Sequence, residues 1–281
     1  MPRLGGIGIA AGIAAGWSSA SLPLDTPLLI AFVILAAVSL LDDLKTLAIG
    51  WRLAVHLAGA LLAMVVLLYA THGIWLTLAA GLITAWMINL YNFMDGADGL
   101  AGGMTFIGFG AYGAAALMGG DFSFAAINLA VAAAALGFLW FNFPPARVFM
   151  GDVGAIPLGY LAAVLGVAGW LRGDWPLWFG AVVFSPFIVD ATVTLLKRAV
   201  RGARIWQAHR EHYYQRLVQG GWGHRNTALA EYGLMMSCSG IAIAGMHANM
   251  QLAVLISVPL LYVVLIIVIE RTLAEHPGHH A

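Results

Sequence analysis

Charge is what this sequence has least of. Of 281 residues only 9% are Asp, Glu, Lys or Arg, while 62% are hydrophobic; a soluble domain carries roughly 25% charged residues. Thirteen basic and thirteen acidic side chains cannot give a chain of this length a water-soluble surface. The mean hydropathy of +0.89 agrees, and the composition is that of an integral membrane protein. Cysteine is nearly absent: Cys238 stands alone in an apolar run, which excludes a disulfide framework and a cysteine-based metal site. The net charge is zero, so bulk attraction to nucleic acid is not expected. Internal repeats and low-complexity segments are missing too.

Long hydrophobic runs are abundant. A membrane helix needs about 20 mostly apolar residues. That rule gives ten candidate spans, at 4–20, 26–41, 51–71, 74–92, 99–119, 122–142, 155–171, 175–197, 226–247 and 249–270. The expected fold is therefore all-α and polytopic, a single membrane domain over 1–281. Gly8, Gly12 and Gly16 recur at i, i+4 in the first span, a spacing that lets helices approach closely. Arg3, the apolar stretch and Ser18-Ser19-Ala20 imitate a signal peptide. The glycine content and the immediately following span argue for a membrane helix instead.

Basic residues favour the cytoplasmic side. With the N-terminus inside, twelve fall there: Arg3, Lys45, Arg52, Arg147, Lys197, Arg198, Arg201, Arg204, Arg210, Arg216, Arg225 and Arg271. Arg172 alone is external. The same threading carries every polar cluster to the cytoplasmic side, which predicts an active site facing the cytoplasm.

Four clusters could carry chemistry. Asp42-Asp43 ends the second span, where two carboxylates repel each other and oppose the helix dipole. A cation, or the metal on a bound phosphate, would make them tolerable. Asn89, Asn92 and Asp95 follow at spacing three, so they can share a helix face, and Gly96-Ala97-Asp98-Gly99 closes the run. Four oxygen-bearing side chains there suit a hard cation or a phosphate–metal complex. A helix–loop–helix calcium site is excluded, because its alternating ligands and twelfth-position Glu are absent. In Phe149-Met150-Gly151-Asp152-Val153-Gly154 the Gly-Asp-x-Gly pattern holds one carboxylate on a flexible, exposed backbone, and Phe149 can offer a ring to a base. The loop His209-Arg210-Glu211-His212-Tyr213-Tyr214-Gln215-Arg216 is basic and suits polyanionic phosphates. Its two histidines lack an obvious third zinc ligand. Asp190, inside a span, is equally a functional carboxylate or a structural bond between helices.

In this order the clusters resemble the polyprenyl-phosphate N-acetylhexosamine-1-phosphate transferases, of the glycosyltransferase family 4 type, which include phospho-N-acetylmuramoyl-pentapeptide transferase. The likeness covers nearly the whole chain: Pro2-Arg3-Leu4-Gly5-Gly6, Asp42-Asp43, Asn89-x-x-Asn92-x-x-Asp95-Gly96-x-Asp98-Gly99-Leu100, Phe149-Met150-Gly151-Asp152 and the His loop. Such enzymes move a sugar 1-phosphate from a UDP-N-acetylhexosamine donor to polyprenyl (undecaprenyl) phosphate, releasing UMP, with Mg²⁺ or, alternatively, Mn²⁺. The resemblance implies the bacterial cytoplasmic membrane, cell-surface polysaccharide synthesis, and admits a homodimer. It implies that Asn92 and Asp152 hold the metal, and that Asp42 and Asp43 place or deprotonate the lipid phosphate beside Asp95. It places Phe149 on uracil with Asp98 near the base, Arg52 at the phosphates, Asn89 in the substrate site, and Arg210 and His212 on the diphosphate or sugar.

Three departures stand out. The family usually has a helix before the Pro-Arg-x-Gly-Gly stretch; this sequence begins there, so the expectation is either that the helix is missing or that the start was assigned too late. Tyr214 and Gln215 replace further histidines, as in the O-antigen and lipopolysaccharide branch acting on deoxy-N-acetylhexosamines. His56 stands where Gln is common. The main rival, an ion-coupled transporter, needs carboxylates near mid-bilayer and related halves. A CDP-alcohol phosphatidyltransferase needs an Arg that Asp95-Gly96-Ala97-Asp98-Gly99 lacks, and a membrane aspartyl protease gives the His loop no role.

Overall fold

A computed structural model describes residues 4–19, 25–204, 207, 209–246 and 250–275. Every regular element among them is helical: α1 (Gly5–Ser19), α2 (Thr26–Lys45), α3 (Ile49–Met64), α4 (Ala70–Phe93), α5 (Leu100–Gly119), α6 (Phe122–Asn142), α7 (Asp152–Arg172), α8 (Phe179–Val183), α9 (Ser185–Val200), α10 (Tyr213–Leu217), α11 (Gly223–Ala244) and α12 (Gln251–Glu275). Helix is dictated by the solvent, since in lipid each backbone N–H and C=O must find its partner within its own segment.

Among the described residues seven helices are long and apolar enough to cross a membrane. The chain is thus a polytopic membrane protein. Ten spans were expected, and the difference has a plain origin. Ile49–Phe93 counts as one continuous stretch of 45 residues. It turns at Gly73, whose φ of 74° and ψ of 177° are non-helical, and α3 then packs antiparallel on α4. The first span, α1, has only 15 residues. The run read as one span at 175–197 is two helices. They are broken at Phe184, just before Pro186, a residue with no backbone N–H to give a helix interior.

α7 is the centre of the bundle, packed by α1, α2, α3, α4 and α5. Polar chemistry gathers at one end: the C-terminal ends of α2, α4 and α6, the N-terminal ends of α3, α5 and α7, and the His loop. At the other end Asp121 caps α6 by accepting from the Phe124 N–H at 2.9 Å. It also pairs with Arg172 at the close of α7 at 2.8 Å. The predicted Gly8, Gly12, Gly16 row is only partly an interface. Gly12 and Gly16 lie against Ala134 and Ala130 of α6, whereas Gly8 faces open space.

α1 has a second task. The Gly5 and Gly6 N–H groups each donate at 2.9 Å, to Phe149 O and Met150 O. A Cβ on Gly6 would sit 2.3 Å from the Gly154 nitrogen, so only glycine lets α1 come close enough to grip the segment entering α7.

Candidate active site

Asp43, Asn92, Asp95, Phe149, Gly151 and Asp152 line one cavity of about 300 Å³ at the polar end. Three separate stretches meet there: the end of α2, the exit of α4 and the start of α7. Asp42 and Asp43 sit on the last turns of α2 and point to different partners. Asp43 accepts from the backbone N–H groups of Asp152 (3.3 Å) and Val153 (3.0 Å), so it caps α7 from another helix. An anion at a helix N-terminus meets unpaired N–H groups and the positive end of the dipole. The buried Asp42 accepts from the Leu47 N–H at 2.6 Å and pairs with Arg52 at 2.7 Å. Arg52 also reaches Asp152 at 2.9 Å. It therefore ties α2 to α7 from α3, next to the carboxylates.

Gly151, with φ of 72°, gives the chain the left-handed turn that sets Asp152 as the first residue of α7. Asp152 is anchored there by helix, cap and ion pair, not held on a flexible backbone as its Gly-rich surroundings suggested. Asp95 lies just past α4. Burial first, then the charges of Asp152 and Asp43, hold its carboxyl well above the usual carboxylate range, opposed by a hydrogen bond from Gly151. Like charges crowded in a low-dielectric space call for a counter-charge.

Asn89, Asn92 and Asp95 do not act as one face. α4 ends at Phe93, and Asn89 turns instead to His56, 3.2 Å away. It lines a neighbouring chamber of about 360 Å³ with Arg52, His56, Gln207, His209 and His212. Arg52 lines this chamber and links it to the acid cavity through its contact with Asp152. Asp98 lies off the acid cavity. It accepts from the Ala146 N–H at 3.0 Å and faces His224 at 3.4 Å, which pins the α6–α7 loop. Asn142 does the same work, accepting from the Gly99 N–H at 2.9 Å and donating to Val148 O at 2.8 Å. Phe149 is part-exposed on the cavity wall, open to a planar ligand.

The His loop divides. His212 is buried and faces the chamber of Asn89, whereas Arg210 lines a different cavity on the far side of α10. His209 lies against His212, with ring centroids 4.8 Å apart. Burial, and the neighbouring His212 and Arg198, push the His209 pKa down to about 4. Sequence reasoning left Asp190 undecided between two roles, and the structure supplies the bond between elements. Its carboxylate accepts from the N–H groups of Tyr213 (2.9 Å) and Tyr214 (3.0 Å) and faces His212 Nδ1 at 3.3 Å. It caps α10 and sets where His212 stands. Glu270, which drew no notice in the sequence, binds Arg216 through both oxygens and Lys197 through one.

No three His, Cys, Asp or Glu side chains among the described residues converge as a self-contained metal cage. A hard cation needs only one or two carboxylates where a substrate's own phosphates complete its coordination. The oxygen donors of Asn92 and Asp152, with Asp43 and Asp95 on the same wall, fit such an ion.

Fold and site together define a polytopic membrane enzyme with an acid-lined, cation-flanked cavity at one end of its helix bundle. The sequence pattern of glycosyl transferase family 4 matches residues 26–169, and the chain belongs to that family. A probable undecaprenyl-phosphate N-acetylglucosaminyl 1-phosphate transferase of Bacillus subtilis is 29% identical over 262 residues, 86% of this chain and 73% of the relative. A phospho-N-acetylmuramoyl-pentapeptide-transferase of Lacticaseibacillus paracasei is 28% identical over 67% of this chain and 63% of its own length. The corresponding protein of Geobacillus thermodenitrificans is 34% identical over 55% of this chain, which spans 47% of that relative.

Proposed function

We propose that this protein transfers the sugar 1-phosphate of a UDP-N-acetylhexosamine to polyprenyl phosphate, of undecaprenyl type, and releases UMP. It would do so at the cytoplasmic face of the bacterial inner membrane, as the first committed step of a cell-surface polysaccharide. The observation that carries this reading is the convergence of Asp43, Asp95 and Asp152 with Asn92 and Phe149 around one cavity. The names borne by the relatives supply the acceptor and the hexosamine 1-phosphate.

Joining two phosphates brings anions together, so charge must be neutralised where it builds up. Asn92 and Asp152 would hold Mg²⁺, with Mn²⁺ as the alternative, and the ion would screen the diphosphate and polarise its phosphorus. Arg52, already between Asp42 and Asp152, can swing its guanidinium to a phosphate oxygen while remaining next to both acids. Asp43, on the cavity wall, would place or deprotonate the lipid phosphate. Asp95, whose pKa is raised by burial and by the charges of Asp152 and Asp43, can give or take a proton at its carboxyl oxygen. Phe149 offers its ring to the uracil. Asn89 and His212, in the adjoining chamber, can donate hydrogen bonds to the sugar, and the Asp190 contact holds the imidazole in place.

The test is a radiolabel transfer assay on membranes with a panel of UDP-N-acetylhexosamines and undecaprenyl phosphate. Label should enter lipid with release of UMP, and both should fall by at least about 10²-fold with EDTA or in Asp152→Ala, the scale of losing one electrostatic stabiliser. A folded protein that transfers from no donor would refute the proposal.

A further inference from the structure

On the far side of α10 from the acid cavity lies a space of about 770 Å³ between α9, α10 and α12, within the roughly 300–1,000 Å³ range of ligand sites. Four cations line it, Lys197, Arg201, Arg210 and Arg216. Two carboxylates face it, and both are already shared. Glu270 takes Lys197 at 2.8 Å and both arms of Arg216. Glu211 takes Arg201 at 2.6 Å and also Arg198. Arg210 forms no ion pair with a described residue. Asp190, buried behind α10, is satisfied by His212 and the α10 amides. Of the four cations lining the space, Lys197, Arg201 and Arg216 share the two acids, one of which also takes Arg198, and Arg210 adds a charge with no ion-pair partner among the described residues, so positive charge is left over.

The rim has the opposite character. Leu196 and Val200 line the same space from α9 and are 60% and 89% exposed. α12, which reaches the space through Glu270, carries the exposed Ile267 and Val268 three and two residues earlier in its sequence. Such apolar exposure is stable where lipid replaces water. The space thus offers cationic heads inside and hydrocarbon-compatible walls at its mouth. This pattern fits a molecule with a phosphate at one end and acyl chains at the other.

We propose that this cavity binds the headgroup of an anionic phospholipid from the surrounding bilayer, a phosphatidylglycerol-type phosphodiester. Its phosphate would lie among Arg201, Arg210 and Lys197 while its chains run over Leu196 and Val200. A zwitterionic lipid brings its own ammonium and gains less from the surplus charge. The site shares no lining residue with the acid cavity, so it stands apart from the transferase reading.

Native mass spectrometry of the purified full chain, delipidated in detergent, tests it. Phosphatidylglycerol, phosphatidylethanolamine and inorganic phosphate are titrated separately. Phosphatidylglycerol should bind at least about fivefold more tightly than phosphatidylethanolamine. The preference should disappear in Arg201→Gln/Lys197→Gln. It should also weaken in Val200→Asp, which places an acid on the exposed rim without touching the core. Equal retention of the two lipids by the wild-type chain would overturn the proposal. So would unchanged phosphatidylglycerol binding in both variants. Phosphate competing as well as the lipid would make this a free-anion site and refute it, and displacement by equimolar polyprenyl phosphate would reassign the space to the acceptor. Transfer activity is measured separately, so the two readings fail independently.

Discussion

At the scale of single residues, Asp190 is a buried carboxylate that joins α9 to the start of α10. It meets the N–H groups of Tyr213 and Tyr214 at 2.9 and 3.0 Å, with His212 beside it. Removing it strands two buried donors, each costing about 1–3 kcal/mol. Asp190→Ala should therefore lower the melting temperature in detergent by several degrees and slow transfer. Asp190→Asn, which keeps one acceptor oxygen, should recover part of both. If it acts by positioning His212, substrate KM should rise in Asp190→Asn even where the melting temperature is restored; an unchanged KM would leave Asp190 purely structural. Residue identity alone could not reveal this. The partners of Asp190 lie 22 to 24 positions away, and Glu270 meets Arg216 across 54. The acids that were legible, Asp42, Asp43, Asp95 and Asp152, stood in runs with other polar residues against an apolar background. Asp190 stood alone inside a span, and Glu270 lay at the end of the last span, outside those runs.

At the scale of elements, the helices were legible because lipid permits little else, and their polar ends were legible because charge is so scarce. Less visible was which helix end meets which. Asp43 and Asp152 are 109 positions apart, yet one caps the helix that the other begins. The spacing of Asn89, Asn92 and Asp95 predicts a common face only while the helix continues, and α4 stops at Phe93. The close contact of α1 with α7 is similarly hidden, although it sets Phe149 and Asp152 through Gly5 and Gly6. Gly6→Ala would drive a Cβ into backbone atoms of Gly154 at 2.3 and 2.5 Å. Overpacking of this kind costs about 1–3 kcal/mol. A shift of about 1 Å at the reacting groups can cost on the order of 10²-fold in rate. Gly6→Ala should lose both stability and transfer, while Gly8→Ala, which faces open space, should lose neither. Equal effects of the two substitutions would show that the α1–α7 approach does not set the site.

At the scale of the whole molecule, orientation in the membrane and function are linked. Twelve of the thirteen basic residues thread to one side, and the cavity with Asp43, Asp95 and Asp152 lies at that same end. Positive residues resist translocation across the membrane, and nucleotide sugars are made in the cytoplasm, so the two sides should coincide. Cys238 is fully buried, which makes the chain suited to accessibility labelling at introduced cysteines. Arg225 lies exposed at the start of α11 on the basic side, and His72 lies exposed between α3 and the rest of α4 at the opposite end. Arg225→Cys should react with an impermeant maleimide only after the inner membrane is opened, and His72→Cys should react in spheroplasts without opening. Because each site controls for the other, failure of one to react cannot pass for sidedness. The reverse pattern would place the acid cavity outside, away from any cytoplasmic nucleotide sugar, and the proposed reaction could not draw on its donor.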